Sequence, residues 1–206
     1  MTFTDELWQA AAPVLEAIDK LPFLIALEDG SLPRDHFDYY MAQDAHYLAS
    51  YGRVLASAAG PTIPMTCCSG REAPPPRSAS NGSCMQYTCR TSLRWTGRRR
   101  APPTRRTCSP VLVAGLLSCF WIYEDVGRRL KDRIGGLVGH PYADWIDTYG
   151  DSGFAAVTGQ ARVIVDRAAE QAGRADRERM RRTFATAARY EWMFWDAAWR
   201  RETWPV

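Results

Sequence analysis

The chain has 206 residues, a formal net charge of +3 and 46% hydrophobic residues, enough for one domain with a sizeable core. It opens Met1-Thr-Phe-Thr-Asp-Glu without a basic, apolar leader, and no run of 18 apolar residues stands in it, which argues against a secretory signal and a membrane span and makes the cytoplasm the expected compartment. Cysteines there stay reduced, so the six in this chain are not expected to form a disulfide framework.

The predicted elements begin with Thr4-Asp-Glu-Leu-Trp, which caps and opens a helix whose apolar positions Leu7, Trp8, Ala11, Val14, Leu15 and Ile18 follow helical spacing, with Pro13 as a point of kinking. Pro22 starts a short second helix that Asp29-Gly30 ends, and Ser31-Leu-Pro33 leads into a longer third one over about 34–59. Residues 61–110 are a different polymer. They hold nine arginines against the single acid Glu72, a charge of +8 that leaves −5 for the rest, together with five of the six cysteines and eight of the thirteen prolines. With prolines removing donors and little to bury, this stretch reads as irregular. Helical patterning returns over about 111–134, where Gly135-Gly136 stops it. A short helix follows over about 140–148, closed by Tyr149-Gly150, and two more span about 152–171 and 175–201 around Gly173. No run alternates as a strand, so the predicted class is all-α.

Four places on these helices carry chemistry. Cys119 and Tyr123 are one turn apart within Val113-Ala-Gly-Leu-Leu-Ser-Cys119-Phe-Trp-Ile-Tyr123, which puts a thiol and a phenol on one face, about 6 Å apart at Cβ. That is a nucleophile with a polar assistant, although a thiol on an apolar face is more often core filling. Asp44 and Tyr47 share a face three residues apart, and an ionised Asp44 would accept from an amine or amidine edge unless it is simply solvated. Glu191 stands in Tyr190-Glu-Trp-Met-Phe-Trp195, where burial would raise its pKa toward the range useful for proton transfer. Its bland alternative is an ion pair with Arg189 or Arg200. Tyr149 ends its helix and joins the set, with a helix-terminus role as the alternative. A thiol, two acids and three phenols among tryptophans describe an aromatic-walled pocket for a flat, polar heterocycle.

In order, Gln43-Asp44-x-x-Tyr47, Cys119-Phe-Trp-x-Tyr123-Glu-x-Val-Gly127, Trp145-Ile-x-Thr-Tyr149-Gly150 and Tyr190-Glu191-x-x-Phe194-Trp195 closely resemble the TenA/thiaminase II family. The stretch from Phe23 through Asp29-Gly-x-Leu-Pro33 to Phe37-x-Tyr-Tyr40 resembles its N-terminal hairpin. The resemblance covers residues 1–60 and 111–206. It implies a haem-oxygenase-like helical bundle, a homotetramer working in thiamin salvage with no metal, haem or other cofactor. It further implies hydrolysis of 4-amino-5-aminomethyl-2-methylpyrimidine or thiamin to 4-amino-5-hydroxymethyl-2-methylpyrimidine. Cys119 would match the nucleophile, Glu191 the acid handling a ring-nitrogen proton, Asp44 the carboxylate holding the aminopyrimidine edge, and Tyr47, Tyr123 and Tyr149 the ring-stacking and hydrogen-bonding tyrosines.

Residues 61–110 depart from the family, which carries helices and a further active-site tyrosine there. With 24 arginines to two lysines the gene is GC-rich, and a one-base shift in such a gene yields Arg, Pro, Cys, Ser and Gly codons. Out-of-frame translation or sequence error accounts for the middle. Two other uses of this segment compete. Arg98-Arg-Arg100 and Arg105-Arg106 could hold phosphates, but no helix-turn-helix accompanies them, so nucleic acid is not an expected partner. Cys67, Cys68, Cys84, Cys89 and Cys108 lack paired Cys-x-x-Cys spacing and any nearby histidine, so zinc is not expected.

Overall fold

The structure, a computed structural model, describes residues 1–59 and 109–203. Over these it is all helix: α1 Phe3–Asp19, α2 Pro22–Asp29, α3 Arg34–Ala59, α4 Pro110–Ile134, α5 Ala143–Tyr149, α6 Ser152–Gln171 and α7 Arg174–Arg200. The expected irregular segment 61–110 lies outside the described residues except for Ser109 and Pro110, which are the N-cap and first residue of α4.

Local chemistry sets most of the helix ends. Thr2, not Thr4, caps α1: its side chain accepts from the Asp5 amide at 3.2 Å while Asp5 accepts from the Thr2 amide at 2.9 Å, a reciprocal capping box. Thr4 is instead buried, and its amide donates to Asp166 of α6 at 2.8 Å. Helix α1 continues through Pro13 to Asp19. Pro22 and Pro110 occupy first-turn positions, where a missing N–H costs nothing. Gly30 and Gly135 end α2 and α4 at φ 76° and 72°, a left-handed conformation that L side chains resist. The short helix begins at Ala143, three residues later than its sequence suggests, because the His140 and Ala143 amides close turns on Leu137 and His140.

Helix α4 is the centre. It packs along α7 and α6 and receives α5 on its C-terminal half, while α1 lies against α7 and α6, and α2 and α3 lean on α7. It is the one described helix long and apolar enough by length and composition to cross a membrane. Its apolar side chains are nevertheless core, from Ala114 through Leu117, Phe120 and Ile122 to Val126 and Leu130. Burying each such side chain stabilises the fold by about 1.5–3 kcal/mol. The charged C-terminal half of α4 is tied to α1, where Asp19 accepts from Arg129 and Arg133.

Candidate active site

Helix α3 presents Tyr40, Asp44, Tyr47 and Tyr51 at spacings of four, three and four, a single helical stripe facing α4 and α7. Asp44 is 3% exposed, which rules out the solvated-residue alternative. Burial pushes its carboxyl up to about 7. From α7, Glu191 is 7% exposed, and burial, followed by the negative charge of Asp44, raises it to about 8. Neither Arg189 nor Arg200 neutralises Glu191: no ion pair of Glu191 occurs among the described residues, and Arg200 Nη2 lies 2.8 Å from Asp196 and 3.2 Å from Glu202. Two buried acids thus face one another's field, and near neutral pH the pair retains a proton that one of them can donate.

Cys119, on α4, is a buried thiol at 2% exposure. The Tyr47 phenol lies beside both the Cys119 thiol and the Glu191 carboxyl, within reach of the charge of each, so one phenol neighbours thiol and acid. Burial, then the charges of Cys119 and Glu191, push the Tyr47 phenol far up, and it remains a donor throughout the working pH range. One turn beyond Cys119, Tyr123 enters an aromatic cluster with its ring 4.9 Å from Tyr149, 4.8 Å from Trp195 and 6.2 Å from Trp145. Burial raises the Tyr123 phenol, and Tyr40, Asp44 and Glu191 add to this. Tyr149 is the last residue of α5, but its buried ring belongs to the cluster rather than to a helix-end contact with solvent.

A cavity of about 470 Å³ opens beside these groups, with Tyr47, Tyr123, Glu191 and Phe194 in its wall. Tyr47 is 36% exposed. Cys119, Asp44 and Tyr149 are not among its lining residues. Among the described residues no three His, Cys, Asp or Glu side chains gather as metal ligands. The six residues singled out from sequence therefore meet around one region, contributed by α3, α4, α5 and α7. Sequence reasoning missed Tyr40 and Trp145 as members. The i,i+4 relation of Tyr40 to Asp44 was the available signal, whereas nothing local marks Trp145.

The two raised carboxyls make stability fall with pH. In the unfolded chain they ionise near 3.8 and 4.5, and in the folded chain only near 7 and 8, so between these values the folded state holds the extra protons. Stability is highest below about pH 4 as far as these groups act, declines through about pH 8 and is then flat. Thermal melts should fall by more than about 10 °C between pH 5 and pH 9, at 2–4 °C per kcal/mol for a chain of this size. Glu191→Gln should flatten that slope, and a melt that keeps its slope in this variant would put the buried charge elsewhere.

An all-helical bundle thus brings a thiol, two buried acids and several phenols together beside one cavity. The sequence profile of the TENA/THI-4/PQQC family matches residues 8–69 and 106–201, and the chain belongs to that family. The match breaks over 70–105, inside the segment whose composition departs. A thiamine biosynthesis multifunctional protein ThiED of Corynebacterium glutamicum is 32% identical over 210 residues, 96% of this chain but 27% of its own length. The chain thus spans about a quarter of the ThiED proteins it matches. An aminopyrimidine aminohydrolase of Bacillus subtilis is 28% identical over 99% of this chain and 92% of its own. Among solved structures, the TenA homologue protein from P. horikoshii OT3 superposes with a TM-score of 0.69 at 22% identity, covering 98% of this chain and 100% of that one, a likeness of fold.

Proposed function

We propose that this chain is an aminopyrimidine aminohydrolase of the thiaminase II type, acting in thiamin salvage as a cytoplasmic homotetramer without a metal or other cofactor. The observation that carries this is Tyr47, a phenol of the cavity wall that stands beside both the Cys119 thiol and the Glu191 carboxyl. Matches to two aminopyrimidine aminohydrolases, over 99% of this chain in each case, support the substrate class.

In this reading the Cys119 sulfur adds to a ring carbon of the pyrimidine, forming a C–S bond, while the acid pair protonates a ring nitrogen. Collapse of the adduct expels the amine, or the thiazole, from the methylene carbon with the electron pair of the broken C–N bond. Water then adds its oxygen to that carbon, the C–S bond breaks, and the protons return to sulfur and the departing nitrogen. The sum is substrate plus water giving hydroxymethylpyrimidine plus amine. Asp44 holds the amino edge of the ring, Tyr149 frames its face, and Tyr123 meets its rim. A carboxyl raised to about 8 is still protonated near neutrality, which suits it to the ring nitrogen.

The test is release of 4-amino-5-hydroxymethyl-2-methylpyrimidine from its aminomethyl analogue across pH. Turnover is expected with kcat falling above about pH 8 as the acid ionises, and Glu191→Gln should lower kcat by about 10²-fold or more. A profile that rises steadily through pH 9 would remove the acid role. A second reading is a catalytically impaired relative that binds the pyrimidine without converting it. The break in the family match at 70–105, where the family carries its further tyrosine, favours it. Affinity for the pyrimidine without product would identify that state.

A further inference from the structure

From Tyr123 in the cavity wall a chain of three side chains runs inward over three helices, and the reaction above leaves two of them, Tyr40 and Trp145, unused. Trp145 Nε1 of α5 donates to Tyr40 Oη of α3 at 3.3 Å. Tyr40 Oη in turn donates to Tyr123 Oη of α4 at 3.3 Å. All three residues are buried, Tyr40 at 0% exposure.

The chain runs in one direction, with Trp145 donating to Tyr40 and Tyr40 to Tyr123. An indole N–H can donate but not accept, whereas a phenol can do both. Trp145 therefore occupies a lone pair of Tyr40 and leaves the Tyr40 proton to be given onward, to Tyr123. Buried hydroxyls keep such partners because water is not there to replace them. The Tyr123 oxygen is then an acceptor within the chain, and its own proton is left for a third group. Around Tyr123 the charges of Asp44 and Glu191 are both felt, and Tyr123 shares the cavity wall with Glu191. Its proton is attracted to that side.

We infer that Tyr40 and Trp145 are positioning residues that lock Tyr123 as a hydrogen-bond donor toward the cavity, so that the ligand atom facing Tyr123 is an acceptor, a ring nitrogen, and not an amino group. This rests on the proposal that the site takes an aminopyrimidine. Without the chain, Tyr123 could turn its hydroxyl and accept from an amino N–H as readily as donate to a ring nitrogen. With it, an N–H placed opposite Tyr123 meets a proton. Tyr40 thus selects the orientation of the ring without touching it.

The experiment measures, by calorimetry, binding of 4-amino-5-hydroxymethyl-2-methylpyrimidine and of the two pyridine analogues in which one ring nitrogen is replaced by C–H. The proteins compared are wild type, Tyr40→Phe, Trp145→Phe, Tyr123→Phe and the Tyr40→Phe/Tyr123→Phe double variant. In wild type, one replacement should cost about tenfold in affinity, the worth of one hydrogen bond. That penalty should shrink to under about threefold in Tyr40→Phe, Trp145→Phe and Tyr123→Phe, while the penalty for the other replacement is unchanged. Adding Tyr40→Phe to Tyr123→Phe should alter affinity by less than about twofold, because the two act as one unit. A purely structural role would weaken all three ligands alike and add to Tyr123→Phe in full, and either result overturns the inference. Both penalties surviving in a folded Tyr40→Phe protein overturns it as well. Wild-type protein that does not bind the pyrimidine removes the aminopyrimidine reading and this inference together.

Discussion

Cys119→Ala should lower kcat/KM for the aminomethylpyrimidine by at least about 10³-fold, more than 4 kcal/mol of transition-state stabilisation at 1.36 kcal/mol per tenfold. The reason is covalent. Without the sulfur no adduct forms, and expulsion of a poor amine leaving group from an aromatic methylene has no alternative partner among the groups around the cavity. The two carboxyls can move protons, and Tyr47 can donate, but none supplies a comparably polarisable electron pair. The same change should scarcely affect the fold. A Cys to Ala exchange at 2% exposure removes one atom from the core. Its cost should stay near 1 kcal/mol, the low end of cavity-forming substitutions. Product release and thermal melts on the same preparation separate the two effects. A folded Cys119→Ala protein with turnover within about tenfold of wild type would strip Cys119 of the nucleophile's role and return it to core filling. Cys119→Ser tests the same point from the other side, since it keeps a polar group beside Tyr47 but replaces the sulfur by a weaker nucleophile.

That expectation could be framed from sequence because the helices announced themselves. Pro22 at a first-turn position, Gly30 and Gly135 at the ends, and apolar residues in three- and four-residue steps set six of the seven helices to within a residue or two. The two misreadings were local competitions between neighbours. Thr2 and Thr4 are both able to cap, and the choice fell on Thr2 because Thr4 is spent on Asp166, a residue 162 positions away. The short helix looked longer because Pro141 suits a first turn, yet the His140 side chain accepts from the Tyr142 amide and ties this stretch into a turn.

The site was legible wherever two of its members share a helix. Asp44 with Tyr47, and Cys119 with Tyr123, follow from the helical period alone. What sequence could not give is the environment that converts a side chain into a functional group. The burial that raises Asp44 and Glu191 is made jointly by α3, α4 and α7, and whether Glu191 has an arginine depends on where Arg200 finds its acids. The Trp145–Tyr40–Tyr123 chain joins residues 105 and 83 positions apart, and no local period encodes it.

Gly127→Ala carries the largest expected effect on stability. A Cβ at this point of α4 would lie 2.5 Å from both the carbonyl carbon and the Cβ of Tyr149, and 2.7 Å from the Gly150 nitrogen. These are mostly backbone atoms of the end of α5, so no rotamer change relieves the overlap and the two helices must separate. Overpacking of this kind costs about 3 kcal/mol or more, which at 2–4 °C per kcal/mol is a Tm drop of about 6–12 °C. The displacement would also carry Tyr149 and Trp145 away from Tyr123, so turnover should fall beyond what the melting loss explains. Gly159→Ala in the middle of α6 is the matched control, because a Cβ there meets nothing within 4 Å. Without a steric cost the helix propensity of alanine is left, and this variant should gain about 0.5–1 kcal/mol. If both substitutions moved Tm the same way, the close seat of α5 on α4 would not be what Gly127 provides. Opposite signs would show that one methyl group decides whether the tyrosine end of the pocket reaches the thiol helix.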